Sequence, residues 1–458
     1  MIEILAILQT IAPLIEKTTF RQLSQVVLGM LAINGRITML GLARWTEKGG
    51  SYRTMQRFYQ SELPWKALQW LFFWKCLWQP ADEYIIAGDE VVVSKAGKKT
   101  YGLDRFFSGL QQQVIPGLSF FGLSLVNVRE EKSYPLQASQ IVKSAEEKAA
   151  SDSTELAEVK AKAAAKKVQK TTEPKKLGRP KGSKNKKPAD MVLNPELLRI
   201  QKALQELLAT VGSIIRLKYV ALDGHFGNYP SAFMVRQTAL HLISKLRYNA
   251  ALYAACAGEH KGPGAKPKYG AKMAMRQMEA HYLKTTSTEK NLRTDIYQGH
   301  FYNKEFAFAL NGVVMLKTNL LTQAQAHVIL FSTDLDLSYD KIIKLYSLRY
   351  QIEFNFGDAK QYWGLEDFMN IKETAVTNAV NLSFFMVNFS YALLQPCRQQ
   401  NPVFSVLDLK AHYRGYRYAS ELIKMLPQKP DAILLADIFH HIAQLGAIHP
   451  PLLPTPTP

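Results

Sequence analysis

Residues 83–93, EYIIAGDEVVV, are a β-rich apolar run with an acid, Asp89, in the middle. A run of that composition forms a strand. A carboxylate isolated on an apolar strand is costly unless it binds something. IIRLKYVALDG, residues 214–224, repeats the pattern: an apolar strand ends in Asp223 and gives way to Gly224. Taken singly, each acid has an ordinary explanation, Asp89 at a solvent-facing strand edge and Asp223 opening a turn. QQVIPGLSFFGLSLVNV (112–128) and SYPLQASQIV (133–142) read as two more strands, and their brief links predict the antiparallel opening of a mixed sheet. AHVILFSTDLDLS (326–338) reads as a last strand, and residues 338–362 as one long helix.

Helical patterns flank this α/β pattern. Residues 1–78 carry apolar side chains at helical spacing, and the chain is helical again from 396 to about 447, before a Pro-rich tail. NPELLRIQKALQELLATV (194–211) is an amphipathic helix opened by Asn194 and Pro195. Residues 144–192 differ. An Ala-, Glu- and Lys-rich stretch precedes TTEPKKLGRPKGSKNKKP (171–188), whose low apolar content and dense positive charge predict disorder in isolation.

Lysines and arginines number 57 against 38 acids, a formal charge of +19. Such a field attracts polyanions, and nucleic acid is the commonest in a cell. A membrane is the rival partner, but the best apolar stretch, Ala379–Leu394, is broken by Asn381, Ser383, Asn388 and Ser390 and reads as a buried helix. The N-terminal MIEILAILQTIAPLIEK has an early Glu3 and neither a basic start nor a small-residue cleavage site, so it does not read as a signal peptide. Cys76, Cys256 and Cys397 are too scattered for a disulfide framework or a zinc cluster; they are expected in the core of a protein in a reducing, cytoplasmic setting.

Two basic features fit DNA. ITMLGLARWTEKGGSYRTMQRFYQS (37–61) has the form of a helix-turn-helix, with a helix through Leu40–Trp45, a Gly49-Gly50 turn and a second helix capped by Ser51. The second helix presents Arg53, Gln56 and Arg57 along one side, types suited to base edges and phosphates. A helical hairpin with a charged outer face is the alternative. KKLGRPKGSKNKK (175–187) resembles an AT-hook, in which Arg179 and the neighbouring Lys181 lie along a narrow A·T minor groove. A basic linker that touches phosphates without preference is the alternative there.

YSLRYQIEFNFGDAK, residues 346–360, places Tyr346, Arg349 and Lys360 within roughly 40° of Glu353 on one face of a continuous helix. That face can hold a metal ion through Glu353 and phosphates through Arg349, Lys360 and the Tyr346 hydroxyl. A solvated face with an i,i+4 ion pair is the alternative. The Y-x2-R-x3-E-x6-K spacing resembles the signature of one branch of the bacterial cut-and-paste DDE transposases, encoded by insertion sequences. DGHFGN, residues 223–228, resembles that family's second motif.

The resemblance covers roughly residues 80–395. It implies a ribonuclease-H-like mixed sheet in three parts, 79–143, 193–240 and 321–395, with an inserted β-containing domain at 241–320. A helical DNA-binding domain at 1–78 would precede it and a helical region at 396–458 would follow. It also implies that Asp89, Asp223 and Glu353 are the catalytic, metal-holding acids, with two Mg2+ ions or Mn2+ in their place. In-line attack on a phosphodiester needs one ion to activate water or a 3′-OH and another to stabilise the leaving oxygen, and hard ions prefer carboxylates. The reaction implied is cleavage at element ends and strand transfer into target DNA. The implied partners are double-stranded DNA and a second copy on that DNA, with no membrane, in a cytoplasmic, nucleoid-associated setting.

Two features depart from the family pattern. Glu90 follows Asp89, where many relatives have Asp or Thr. No tryptophan lies between 223 and 353 to hold a flipped base, which leaves Tyr282, Tyr297, Phe301 and Tyr302 as stacking candidates. His225 is expected to pack or to touch a phosphate, and Trp363 to pack. A nuclease that cuts without joining and an AT-hook DNA-binding protein with a decayed core are the rival readings.

Overall fold

The computed structural model describes residues 2–46, 50–109, 111–144, 147–148, 191–212, 214–256 and 267–449. The AT-hook-like segment with Arg179 and Lys181, the Gly-Pro-Gly at 262–264 and the Pro-rich tail lie outside the described residues.

The chain opens with α1 (Ile2–Leu8), a 3-10 turn, α2 (Lys17–Ala32), α3 (Met39–Trp45), α4 (Tyr52–Gln60) and α5 (Trp65–Cys76). On α2, Leu23, Val26, Val27, Met30 and Leu31 recur at helical spacing and all are buried. Thr38 and Ser51 cap α3 and α4 by accepting from the Gly41 and Thr54 amides.

Four strands follow: β1 (Tyr84–Ser94), β2 (Asp104–Ser108), β3 (Gln113–Asn127) and β4 (Lys132–Ile141). After the insertion come α6 (Pro195–Val211), β5 (Tyr219–Ala221), α7 (Tyr229–Arg236) and β6 (His241–Leu246). A small hairpin, β7 (Tyr253–Ala255) with β8 (Tyr269–Lys272), precedes β9 (Leu283–Glu289), β10 (Leu292–Phe301), β11 (Leu310–Asn319) and β12 (Gln325–Ser332). Five helices close the described chain: α8 (Tyr339–Leu348), α9 (Gln351–Trp363), α10 (Glu373–Gln400), α11 (Val406–Met425) and α12 (Ala432–Gln444).

All strands but β7 and β8 join one sheet. Its order is β3-β1-β5-β6-β12-β11-β10-β9, with β2 and β4 sharing the outer edge of β3. β3 runs antiparallel to both β4 and β1, whereas β1, β5 and β6 run parallel. This is the expected mixed α/β core with helices at both ends. β3 is buried along nearly its whole length, because a strand covered on both faces needs apolar residues on both.

The structure redraws several expectations. The family resemblance places residues 241–246 in an insertion, but β6 belongs to the core and pairs in parallel with β5. β12 then pairs with β6, so β9 to β12 prolong the same sheet. The backbone groups along that edge of β6 find their hydrogen-bond partners in β12. β2 was not foreseen. The single helix over 338–362 is two, α8 and α9, separated at Arg349–Tyr350, where backbone bonds tighten to i→i−3, as from the Glu353 amide to the Tyr350 carbonyl.

One apolar core runs from Ile4 to Leu409, so the N-terminal helices, the sheet and α10 are packed together. Trp65 Nε1 donates to buried Asn378 on α10 at 2.7 Å, and Asn378 Nδ2 donates to the Tyr59 and Ser61 carbonyls. The polar residues that interrupt Ala379–Leu394 fasten α10 in place. Asn388 donates to the Pro135 carbonyl and Ser383 to that of Trp363. Among the described residues no helix is long and apolar enough to cross a membrane. Trp363 is fully buried, as expected, whereas all three cysteines are only half-buried, so they sit at the margins of the core.

The C-terminal helices hang on one carboxylate. Asp408, fully buried, closes the capping box with Ser405 and accepts from the Ile448 and His449 amides and from His449 Nδ1. These hydrogen bonds, opposed by its burial, hold its carboxyl well below the ordinary range. The stability it contributes is present at neutral pH and is lost as pH falls through that depressed value. Asp408→Asn is expected to lower stability by about 2 kcal/mol at pH 7, read by urea unfolding.

Candidate active site

Strand register sets the first two acids side by side. Ala87 on β1 pairs with Ala221 on β5, and Ala221 pairs with Ile243 on β6. Two residues further along each strand direction stand Asp89, Asp223 and Lys245, a row that crosses the middle of β1 and the carboxyl ends of β5 and β6. Such an edge is where α/β sheets place ligands.

Asp89 is opposite Gly122 on β3, and a Cβ at Gly122 would lie 3.0 Å from the Phe356 ring of α9. The missing side chain lets α9 come down over β1. Gly364 ends α9 at φ +74°, and a Cβ there would stand 2.6 Å from Ile37, so glycine also closes the far end of this helix against the N-terminal region.

Arg349, at the step between α8 and α9, is 13% exposed. Its Nη1 lies 2.8 Å from Asp89 Oδ2 and its Nη2 3.3 Å from Glu353 Oε1. One guanidinium therefore joins two of the three acids, and its Nε is buried without a hydrogen-bond partner among the described residues. Burial pushes the Asp89 carboxyl up, Arg349 and the Glu90 amide pull it down, and the charges of Asp223 and Glu353 add to the rise. Asp223 is thus close enough to be felt by Asp89. It is also felt by Tyr346, whose hydroxyl burial raises and whose partner is Arg349. Asp223 Oδ1 accepts from the His225 amide at 3.0 Å, and its carbonyl accepts from Ser244 Oγ at 2.7 Å. That geometry explains the residues after it: Asp223 starts the 3-10 turn Gly224–Phe226, and Asn228 then caps α7.

Asp89, Asp223, Glu353, Tyr346 and Arg349 therefore gather at one place. Lys360 does not join them. Its Nζ donates to the Val92 carbonyl at 3.0 Å and pairs with Glu366 at 2.9 Å, further along β1. The step at Arg349–Tyr350 interrupts the continuous helix on which the four were placed, yet Arg349 still reaches Glu353 across i,i+4. Among the described residues no three acidic, histidine or cysteine side chains close around a common point as a metal cage. What the site offers a cation is the donor chemistry, three hard carboxylates, and a position between Asp89 and Glu353 that already accommodates positive charge.

Strand alternation sends Glu90 to the opposite face, toward α6. Its side chain is exposed to water. There the surrounding protein, then Glu196 and Asp89, push its carboxyl up to about 7. His225 is largely exposed and pairs with Glu196 at 3.2 Å, which raises its own ionisation. Between the ordinary glutamate value of 4.5 and about 7, the folded chain holds more protons than the unfolded one, so stability falls as pH rises. Glu90→Gln is expected to remove that slope, seen as a melting temperature that gains on wild type from pH 5 to pH 8. Solvent access keeps the gain small.

Arg53 and Arg57 are exposed on α4, while Met55, Phe58 and Tyr59 fill its buried face. Of the aromatic stacking candidates, Phe301 is fully buried and Tyr297 nearly so, because inward-facing positions of β10 line the core. Tyr282 packs on Phe301 and Tyr302 on Tyr269. Tyr248, just past the end of β6, is 76% exposed, and Tyr350 and Phe354 beside Glu353 are exposed as well. Lys245, Arg247 and Tyr248 were not singled out from the sequence. The alternation in HLISKLRYN, polar at 245 and 247, was the available signal.

A model of the family DDE superfamily endonuclease matches residues 10–299, well over half of the chain, and the chain belongs to that family. The match includes Asp89 and Asp223 and ends before Glu353. No curated protein matches the chain.

Proposed function

We propose that this member of the DDE endonuclease superfamily is a cut-and-paste transposase of the branch with the Y-R-E-K signature. It cleaves DNA at the ends of its element and joins the freed 3′-OH to target DNA. The observation that carries the reading is the row of Asp89, in the middle of β1, and Asp223, just past the carboxyl end of β5, with Glu353 brought to Asp89 through Arg349.

In this reading Asp89, Asp223 and Glu353 would hold two Mg2+ ions, or Mn2+. Once bound, they would supply Lewis acidity for phosphodiester cleavage. The chain's own residues do the rest. Arg349 directs Asp89 and Glu353 and then meets phosphate, for which a planar guanidinium is suited. Tyr346 holds Arg349. The small, glycine-flanked turn after Asp223 keeps bulk away from the strand that must approach. Arg53 and Arg57 on α4, Lys360, and Arg179 and Lys181 in the basic insertion bind DNA away from the reacting bond. Residues 247–324 form the inserted part and residues 1–78 the DNA-binding part. The enzyme works as a homodimer on paired ends, in the cytoplasm at the nucleoid.

The test is a donor plasmid that carries the gene's native flanking DNA, incubated with purified protein, Mg2+ and a target plasmid. Excised donor together with joined target is the expected result, with both lost in Glu353→Gln. Excision without joining favours the second reading, a nuclease, which the family's description as endonuclease also accommodates. DNA binding without either product would leave a DNA-binding protein whose core has decayed.

A further inference from the structure

Beyond Asp223 the sheet edge opens into two clefts of about 640 and 480 Å³. They share Gly224, His225, Leu246, Arg247 and Asn249. The larger runs from Asp223 and Lys245 past Tyr248 to His327, and the smaller turns toward Asn228, Asn303, Lys304 and the acidic Glu305. The divider is a tight turn, Arg247–Ala250, closed by the Ala250 amide on the Arg247 carbonyl at 3.0 Å. His327 Nε2 lies 2.7 Å from the Tyr248 carbonyl and pins this turn to β12. Arg247, Tyr248 and Asn249 all stand exposed on it.

A tyrosine held open on a pinned turn between two cation-lined clefts suits a ligand with both flat and anionic parts. The volumes fall in the range of about 300–1,000 Å³ that encloses one small molecule. That is room for one or two nucleotides and far too little for a duplex. Lys245 and Arg247 lie two residues apart at a strand end, roughly 6.6 Å. That is of the order of the separation between phosphates in an extended single strand. The amide of Asn249, exposed on the turn, both donates and accepts, so it serves any base.

We propose that these clefts form a single-strand DNA site, in which Tyr248 stacks on a base and Lys245 and Arg247 hold the adjoining phosphates of a strand leaving the bond at Asp223. This rests on the reading of Asp223 as part of a DNA-cutting site. The requirement is chemical and not sequence-specific, because every base has a stacking face.

The test uses the full chain without divalent metal and three labelled probes: a single strand, a blunt duplex, and the same duplex with an unpaired tail. Fluorescence anisotropy is recorded across a salt series. Arg247→Gln is expected to weaken single-strand and tailed binding about tenfold and to lower the salt slope by about 0.7. Tyr248→Ala is expected to cost about tenfold with the slope unchanged, and Tyr248→Phe to restore it. Blunt-duplex binding stays at the wild-type level in all three, and melting temperatures confirm intact folding. Equal weakening on blunt and tailed duplexes would overturn the proposal in favour of a duplex contact. No weakening on any probe would overturn it outright. If wild type binds none of the probes, the reading as a DNA enzyme falls as well, a result distinct from the other two.

Discussion

Asp223→Asn is expected to reduce Mg2+-dependent cleavage of element-end DNA by about a thousand-fold or more while the protein stays folded. The magnitude follows from removing one carboxylate from ions that supply several kcal/mol of charge stabilisation at the reacting phosphate. The local structure makes this substitution clean. Asp223 does structural work through Oδ1, which accepts from the His225 amide, and an asparagine oxygen accepts from the same amide. Its carbonyl bond from Ser244 is untouched. Urea unfolding within a few tenths of a kcal/mol of wild type, with cleavage gone, would place the charge of Asp223 in the chemistry. Cleavage at the wild-type rate would remove Asp223 from the site and with it the proposed acid set. Asp89→Asn is expected to abolish cleavage too, but it is less simple to interpret, because it takes the charged partner from Arg349.

Arg349→Ala carries the second large effect, on both stability and rate. Arg349 is nearly buried and touches two acids, so its loss leaves Asp89 and Glu353 facing one another without a cation. Breaking a wholly buried pair costs about 3–5 kcal/mol. Here water reaches Glu353, 40% exposed, and part of Asp89, so about 1–3 kcal/mol is expected. Cleavage is expected to fall by about a hundredfold, the scale of losing one preorganised donor to a phosphate oxygen. Arg349→Lys should recover part of the stability and little of the rate, because an ammonium cannot bridge two carboxylates as a planar fork does. Paired measurements of unfolding and cleavage check both statements. A rate unchanged in Arg349→Ala, beside a lower stability, would reduce this residue to a structural one.

Much of this was legible from residue types and local order. The apolar runs around Asp89 and Asp223 are strands because β-branched and aromatic residues between turn formers have little other use. Ser51 and Asn194 cap the helices predicted from them, and the polar interruptions in Ala379–Leu394 lie inside a buried helix, as expected. Pairing was harder. A period of two shows which residues share a face of one strand, but carries no signal of which strand lies alongside. That is why β6, at 241–246, was assigned to an insertion and β2 went unseen.

The chain by itself determined its α/β class, its basic character and the two acid-bearing strands, because these follow from composition and short-range periodicity. Tertiary structure decided what those strands were for. The parallel register of β1, β5 and β6 brings Asp89, Asp223 and Lys245 into one row, although Asp223 stands 134 residues beyond Asp89. The contact of Arg349 with Asp89 spans 260 residues and coincides with a tightened step that an ideal helical wheel does not contain. Burial likewise disqualified Tyr297 and Phe301 and left Tyr248 exposed beside the acids. In each case the deciding interaction joins segments far apart in the chain, so no local pattern could carry it.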